Sequence, residues 1–318
     1  MILAHMLVPS LLIFLSFVVL FVGAEFLVRG GAGLALRLGL SPLVVGLTVV
    51  AYGTSMPELL VSLKAAFSGQ PDIALGNVVG SNIFNIAVIL GLSAIVFPVA
   101  TNLQVIKWDA PLLLAVTVLS TLTFIDGQVS RVEGIVFVCG AIACTVWTVW
   151  AAKKEPKVAS EAEEVAAPPG GSLAGDIFKI IIGLGVLILG SRLLVDNAVT
   201  VASSLGVSEA VIGLTIIAAG TSMPELATSV VAAWRRQSDI ALGNVLGSNL
   251  FNILFVLGGS SIIHPVSTKG MTMLDLGMMI GVTALLLPIL ITGKRINRIE
   301  GLLLFISYIA YLFFLWPK

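Results

Sequence analysis

The seven residues GTSMPEL occur twice, at Gly53–Leu59 and Gly220–Leu226, each inside a long apolar stretch. At this offset of 167, Ala51–Val99 aligns with Ala218–Val266 without a gap, and 31 of the 49 positions are identical. Weaker similarity runs outward: GAEFLVRGGAGLALRLGLSPLVVGLTVV (Gly23–Val50) matches GSRLLVDNAVTVASSLGVSEAVIGLTII (Gly190–Ile217), and RVEG (Arg131–Gly134) matches RIEG (Arg298–Gly301). A chain that repeats itself over this length is expected to fold as two related units. We place them at 1–151 and 176–318, joined by a charged and then Pro/Gly-rich linker at 152–175.

The units belong in a membrane. Hydrophobic residues make up 58% of the chain and charged ones 11%, where a soluble domain carries about 25% charge. Apolar runs such as Leu7–Phe26, Ile135–Ala151 and Ile177–Leu194 approach the ~20 residues that cross a hydrocarbon core. The pattern predicts an all-α integral membrane protein with ten transmembrane helices, near 7–33, 41–67, 72–97, 105–125, 131–151, 176–202, 208–234, 239–264, 272–292 and 298–316. The first apolar stretch reads as a retained helix, not a signal peptide. Formal net charge is zero, so no basic patch calls for nucleic acid. The lipid bilayer is the one macromolecular partner implied. Cys139 and Cys144 share one apolar segment and read as packing residues.

Five helices per unit is an odd number, so the second unit enters from the opposite side to the first. With both termini outside, the cytoplasmic connections collect 12 Lys and Arg residues and the outside keeps 5, a positive-inside bias. Basic residues change places between the units as this requires: Ser68 and Gly69 become Arg235 and Arg236, and Gly127 and Gln128 become Lys294 and Arg295. Two inverted five-helix repeats with broken helices at the midplane are the pattern of secondary transporters. The expected location is the cell membrane.

The duplicated stretch supplies the break. Pro57 and Pro224 lack an amide hydrogen and interrupt the helix one turn upstream, so carbonyls near Ala51 and Ala218 are expected to lose their intrahelical partners. Such backbone is tolerated at membrane depth only where it lines protein or water. Thr54, Ser55, Thr221 and Ser222 add hydroxyls there, and Glu58 and Glu225 add carboxylates. Carboxylates at this depth are rare and functional by default. The next segment of each unit carries Asn77, Ser81 and Asn85, or Asn244, Ser248 and Asn252, at four-residue spacing on one helical face. Gly76, Gly80, Gly243 and Gly247 form GxxxG pairs beside them. The inventory is all oxygen donors, which suits hard cations such as Ca²⁺ and Na⁺. Two carboxylates ~5 Å apart repel by roughly 3 kcal/mol at an effective dielectric of about 20, and one Ca²⁺ neutralises both.

At these residues the sequence resembles the calcium:cation antiporter superfamily and, within it, the prokaryotic-type sodium/calcium exchangers, whose paired alpha repeats look like the two GTSMPE…GNVxGSNxFN blocks. The resemblance covers essentially the whole chain. It implies a calcium site with Glu58 and Glu225 as carboxylate ligands and Thr54 and Thr221 contributing backbone oxygens. It implies flanking sodium sites at Ala51, Ser55, Ser81, Ala218, Ser222 and Ser248, with Asn85 and Asn252 at the centre. Some relatives, including the potassium-dependent branch, carry Asp where this chain has Asn252. Ca²⁺ and Na⁺ would be cargo, with no resident cofactor.

Plainer roles suit other residues. Interhelical hydrogen bonding suits Asn77 and Asn244 and competes with ligation at Ser81 and Ser248. Asp72 and Asp239 read as helix caps, Glu133 and Glu300 as first-turn acids complementing the helix dipole, Gly39 and Gly206 as helix terminators, and His264 as an interfacial residue. The expected function is Ca²⁺/Na⁺ antiport by alternating access. The alternatives are a proton-coupled Ca²⁺ antiporter and a passive cation channel. A hydrolase built on the glutamates lacks a nucleophile or metal cluster, so no enzyme is expected. The orientation has a direct check: in intact cells, a cysteine introduced near Ser160 should stay unlabelled by an impermeant thiol reagent added outside. Strong labelling there would reverse the topology.

Overall fold

The computed structural model describes residues 2–154, 172–205 and 218–315. Most of the linker, Gly206 and the start of the expected seventh segment fall outside them. Among the described residues the chain is helical apart from loops and four two-residue strands. In order come α1 (Ile2–Leu38), α2 (Pro42–Thr54), α3 (Met56–Phe67), α4 (Pro71–Phe84, continuing to Val96), α5 (Val105–Leu122) and α6 (Arg131–Lys154). After the linker come α7 (Leu173–Ser204), α8 (Ala218–Thr221), α9 (Met223–Trp234), α10 (Ser238–Phe251, continuing to Ile263), α11 (Met273–Gly293) and α12 (Arg298–Leu315). Eight of these helices are long and apolar enough to span a membrane, and the bent pair α2–α3 makes a ninth candidate.

Local chemistry sets the boundaries. α2 and α3 meet at Ser55, bent by 46°, one residue before the position where Met56-Pro57 restarts the helix. Asn85 and Asn252 each open a π-helical segment, Asn85–Leu90 and Asn252–Leu257, inside an otherwise α-helical span. Such wide turns concentrate at functional positions. Ser130 and Glu133 cap α6 reciprocally: the Ser130 amide and hydroxyl each donate to Glu133 Oε2 at 2.7 Å. At the same offset the Asn297 amide donates to Glu300 Oε2 at 2.8 Å, and the Glu300 amide to Asn297 Oδ1 at 3.0 Å. The aspartates behave differently from the expected caps. Gln70 and Gln237 hold the cap positions without side-chain bonds, placing Asp72 and Asp239 inside the first turn. Asp239 instead accepts from Asn102 Nδ2 at 3.2 Å, tying α10 to the loop before α5.

Packing puts α4 and α10 at the centre, 83% and 89% buried, and leaves α6 and α12 at the rim with 11%. The rim helices reach the centre through glycines. A Cβ on Gly301 would lie 2.6 Å from the Gly91 carbonyl oxygen, and one on Gly134 would lie 2.7 Å from that of Gly258. These two crossings are equivalent at offset 167, and each joins the last helix of one half to the central helix of the other. Gly243 and Gly247 also admit backbone contact, with built Cβ atoms 2.7 Å from Leu43 O and 2.4 Å from Leu47 O. The counterparts of Leu43 and Leu47 at offset 167, positions 210 and 214, lie outside the described residues.

α1 and α7 run antiparallel, with Gly30 beside Ile180, Gly23 beside Gly183 and Leu20 beside Gly190. At one end of that pair Arg37 and Lys179 flank the buried Asp176 at 2.6 and 2.9 Å. Two antiparallel strand pairs also cross between halves. β1 (Val99–Ala100) pairs with β4 (Arg295–Ile296), and β2 (Gln128–Val129) with β3 (Val266–Ser267). The first pair lies with Ser238, which accepts from the Ala100 amide, and Arg236, whose guanidinium sits 5.4 Å from the Phe97 ring centroid. At the second pair Thr268 Oγ1 donates to Phe124 O at 3.0 Å. Exposed His264 adjoins β3.

Candidate functional site

The two GTSMPEL breaks face one another against α4 and α10. Glu58 and Glu225 are each 1% exposed, and each is held by the serine of the opposite break. Ser55 Oγ donates to Glu225 Oε1 at 2.7 Å, and Ser222 Oγ donates to Glu58 Oε1 at 2.8 Å. The serines reach across because each occupies the non-helical turn just before a proline, with ψ near zero: Ser55 at φ −83°, ψ 9° and Ser222 at φ −88°, ψ 9°.

A second layer fixes the breaks. Asn77 Nδ2 donates to Glu58 O at 3.1 Å and Ser62 Oγ at 2.9 Å, and Asn244 Nδ2 donates to Glu225 O at 3.3 Å and Ser229 Oγ at 2.9 Å. Their oxygens accept across the halves, Asn244 Oδ1 from Thr54 Oγ1 at 3.1 Å and Asn77 Oδ1 from Thr221 Oγ1 at 3.5 Å. Each asparagine therefore clamps its own half's glutamate backbone to the other half's threonine. Ser81 Oγ accepts from Ser222 Oγ at 3.3 Å, and Ser248 Oγ donates to Ala51 O at 3.5 Å. The side chain of Ala218 lies outside the description.

The expectation of a bare carbonyl at Ala51 needs correcting. Ala51 O accepts from the Ser55 amide at 3.0 Å and from Thr54 Oγ1 at 3.2 Å, as well as from Ser248. A missing proline amide deprives the residue four earlier, which is Gly53 or Gly220. In the second half that carbonyl is satisfied by a residue the sequence reading passed over: Ser191 Oγ donates to Gly220 O at 2.6 Å. Position 24, at the equivalent offset, is alanine. Ser62, Ser229, Asn82 and Asn249 were also passed over. Identity of both members of each pair at offset 167 is the signal that marks them.

Several buried polar atoms near the breaks remain unpaired. Glu58 Oε2, Glu225 Oε2, Asn85 Oδ1 and both amide atoms of Asn252 are buried without a hydrogen-bond partner. Buried polar atoms are mostly satisfied in folded proteins; here the two carboxylate oxygens and the amide oxygens of Asn85 and Asn252 are unpaired acceptors, the kind of ligand a hard cation takes. Among the described residues no group of three His, Cys, Asp or Glu side chains forms a conventional metal cluster; two carboxylates and neutral oxygens make up the site. Access is unequal. Asn77 is half-buried and Gly80 exposed, whereas the equivalent Asn244 and Gly247 are fully covered. The α4 residues nearer the β2–β3 end are therefore less covered than their α10 equivalents.

A helical membrane protein with a duplicated, carboxylate-centred oxygen site is a cation-transporter architecture. The sodium/calcium exchanger protein family matches residues 8–150 and, a second time, 176–316, and the chain belongs to that family. It is 40% identical to CaxA of Alkalimonas amylolytica over 98% of this chain and 100% of that protein. It is 32% identical to the sodium/calcium exchanger MaX1 of Methanosarcina acetivorans over 96% of this chain and 97% of that one. The solved structure of the sodium-calcium exchanger NCX_Mj superposes with a TM-score of 0.84 at 31% identity, covering 98% of this chain and 99% of that chain.

The Ser191 contact can be tested directly. Ser191→Ala leaves Gly220 O without its donor in an apolar setting, which should cost about 1–3 kcal/mol and lower the unfolding temperature in detergent. Ser191→Thr, which keeps the hydroxyl, should recover most of the loss. Equal stability of all three proteins would remove Ser191 from the support of the break.

Proposed function

We propose that the protein is a secondary active antiporter exchanging Ca²⁺ for Na⁺ by alternating access. It is built as ten transmembrane helices in two inverted five-helix repeats, 1–151 and 176–318, with the linker 152–175 in the cytoplasm, both termini outside and the chain in the cell membrane. The observation that carries this reading is the pair of buried glutamates, each with one oxygen bound by the opposite half and one oxygen unpaired. Glu58 and Glu225 hold one Ca²⁺, with backbone oxygens of Thr54 and Thr221. Na⁺ takes the neutral oxygens of Ala51, Ser55, Ser81, Ala218, Ser222 and Ser248, and Asn85 and Asn252 line the centre. The antiparallel α1–α7 pair and the strand pairs crossing between halves support the inverted arrangement.

Exchange follows from charge. A Ca²⁺ ion cancels both carboxylates, whereas Na⁺ needs several sites to do the same, so the ions compete for one set of acceptors. Radiolabelled Ca²⁺ uptake into proteoliposomes should therefore require an opposing Na⁺ gradient. Full uptake on a pH gradient in Na⁺-free buffer would assign proton coupling instead, and uptake without any counter-gradient would assign a channel.

The glutamates should act as one unit. Glu58→Gln or Glu225→Gln preserves shape and hydrogen bonding but leaves a single negative charge against a divalent ion where water compensates little. Either variant should lose nearly all Ca²⁺ transport while remaining folded and inserted. The double variant should be little worse than either one, because both groups act on the same ion. Near-normal exchange by Glu225→Gln would refute the shared-ligand arrangement.

A further inference from the structure

The asparagines Asn82 and Asn249 occupy equivalent positions on the two central helices but are bonded differently. Asn249 reaches across the interface: its Nδ2 donates to Asn82 O at 3.2 Å, and its Oδ1 accepts from Asn85 Nδ2 at 2.9 Å. Asn82 turns back on its own helix, where its Nδ2 donates to Val78 O at 2.7 Å. Its Oδ1 is unpaired, and so are both amide atoms of Asn252, the residue it would hold if the halves were alike. All four asparagines are no more than 2% exposed. Leaving this many buried amide atoms unmade is costly, and a side-chain rotation of Asn82 would bring its Oδ1 towards Asn252 on the pattern already formed by Asn249 and Asn85.

We infer that Asn82 and Asn249 are alternating positioning residues. Asn249 holds the Asn85 amide in the state seen here, in which Gly80 is exposed and Gly247 buried. Asn82 holds the Asn252 amide in the opposite state, in which Asn249 folds back on its own helix. One amide at the centre of the cation site is thus fixed and the other free at any time, and the two change roles as access changes sides. The inference rests on the proposed alternating access. In that scheme exchanging the conformations of two equivalent halves converts one state into the other, so a contact made by one half and missing from the other marks the direction of opening.

The test reads accessibility and not transport. Cys139 and Cys144 are replaced by Ser, Gly80→Cys is introduced as a reporter at this exposed position of α4, and labelling by a small impermeant thiol reagent is followed in membranes. Asn249→Ala removes the contact specific to the present state and should slow labelling by about fivefold, the factor one net hydrogen bond is worth. Asn82→Ala removes the contact specific to the opposite state and should leave labelling equal to or faster than the parent. In oriented proteoliposomes the two substitutions should move the apparent KM for Ca²⁺ in opposite directions on a given side. Asn249→Gln and Asn82→Gln, which keep an amide, should fall between parent and alanine forms, and monodisperse elution in detergent establishes folding of each variant. Shifts in the same direction, or no shift in either, would overturn the inference. A wild-type protein that fails to exchange Ca²⁺ for Na⁺ would instead count against the functional reading, while the labelling contrast would still report on the asparagines.

Discussion

Two carboxylates carried into a bilayer must be held by something other than water, and the chain around Glu58 and Glu225 is organised by that requirement. A charge stripped of water costs several kcal/mol even after the protein relaxes around it. Each glutamate keeps one oxygen on a serine of the opposite half and offers the other to the interior. For the serines to reach, the helices must be broken at Ser55 and Ser222, which is the work of Pro57 and Pro224. For the breaks to survive in an apolar setting, Asn77 and Asn244 must bind their backbones. For those asparagines to be central, α4 and α10 must be buried on nearly all sides, with glycines admitting the rim helices at Gly91–Gly301 and Gly134–Gly258.

Crossed bonding also makes the site and the interface one object. A displacement of one half against the other must stretch Ser55–Glu225, Ser222–Glu58 and the Thr54–Asn244 contact together, because every one of them spans the boundary. Under the proposed function, ions placed among the unpaired oxygens bear directly on how the halves sit. A site enclosed within one half could bind the same ions without that leverage, since no bond strained by movement would touch them.

Much of this was legible in the chain because the chemistry was written twice. Glu58, Ser55, Asn77 and Asn85 recur unchanged at offset 167, and the structure brings both copies to one place. What escaped the sequence has physical causes. The Ala51 carbonyl was expected to be bare, but a missing proline amide frees the carbonyl four residues earlier, and three donors converge on Ala51. Asp239 fits the composition of a cap, yet the loop entering α10 puts Gln237 at the boundary and directs the carboxylate to Asn102. Ser191 was invisible for a different reason: a support needed in one half leaves no repeat to read, and its counterpart is Ala24. Duplication reveals what both halves share and hides what either does alone.

The unshared features are where direction enters. Two halves in the same conformation would expose equivalent residues equally, yet Asn77 is half-buried and Gly80 exposed while Asn244 and Gly247 are buried. The more buried side has its own fastenings. Gly243 and Gly247 press on the backbone of Leu43 and Leu47, and Arg37 and Lys179 close on Asp176 at one end of the α1–α7 pair. The charged cluster has no copy at offset 167: Arg37 aligns with Ser204, and Asp176 with Pro9. A near-duplicate site places like residues on both sides of the boundary between the halves. What the copies do not share, such as the Arg37–Asp176–Lys179 cluster and the Ser191 contact, lies outside the repeated motif and distinguishes one half from the other.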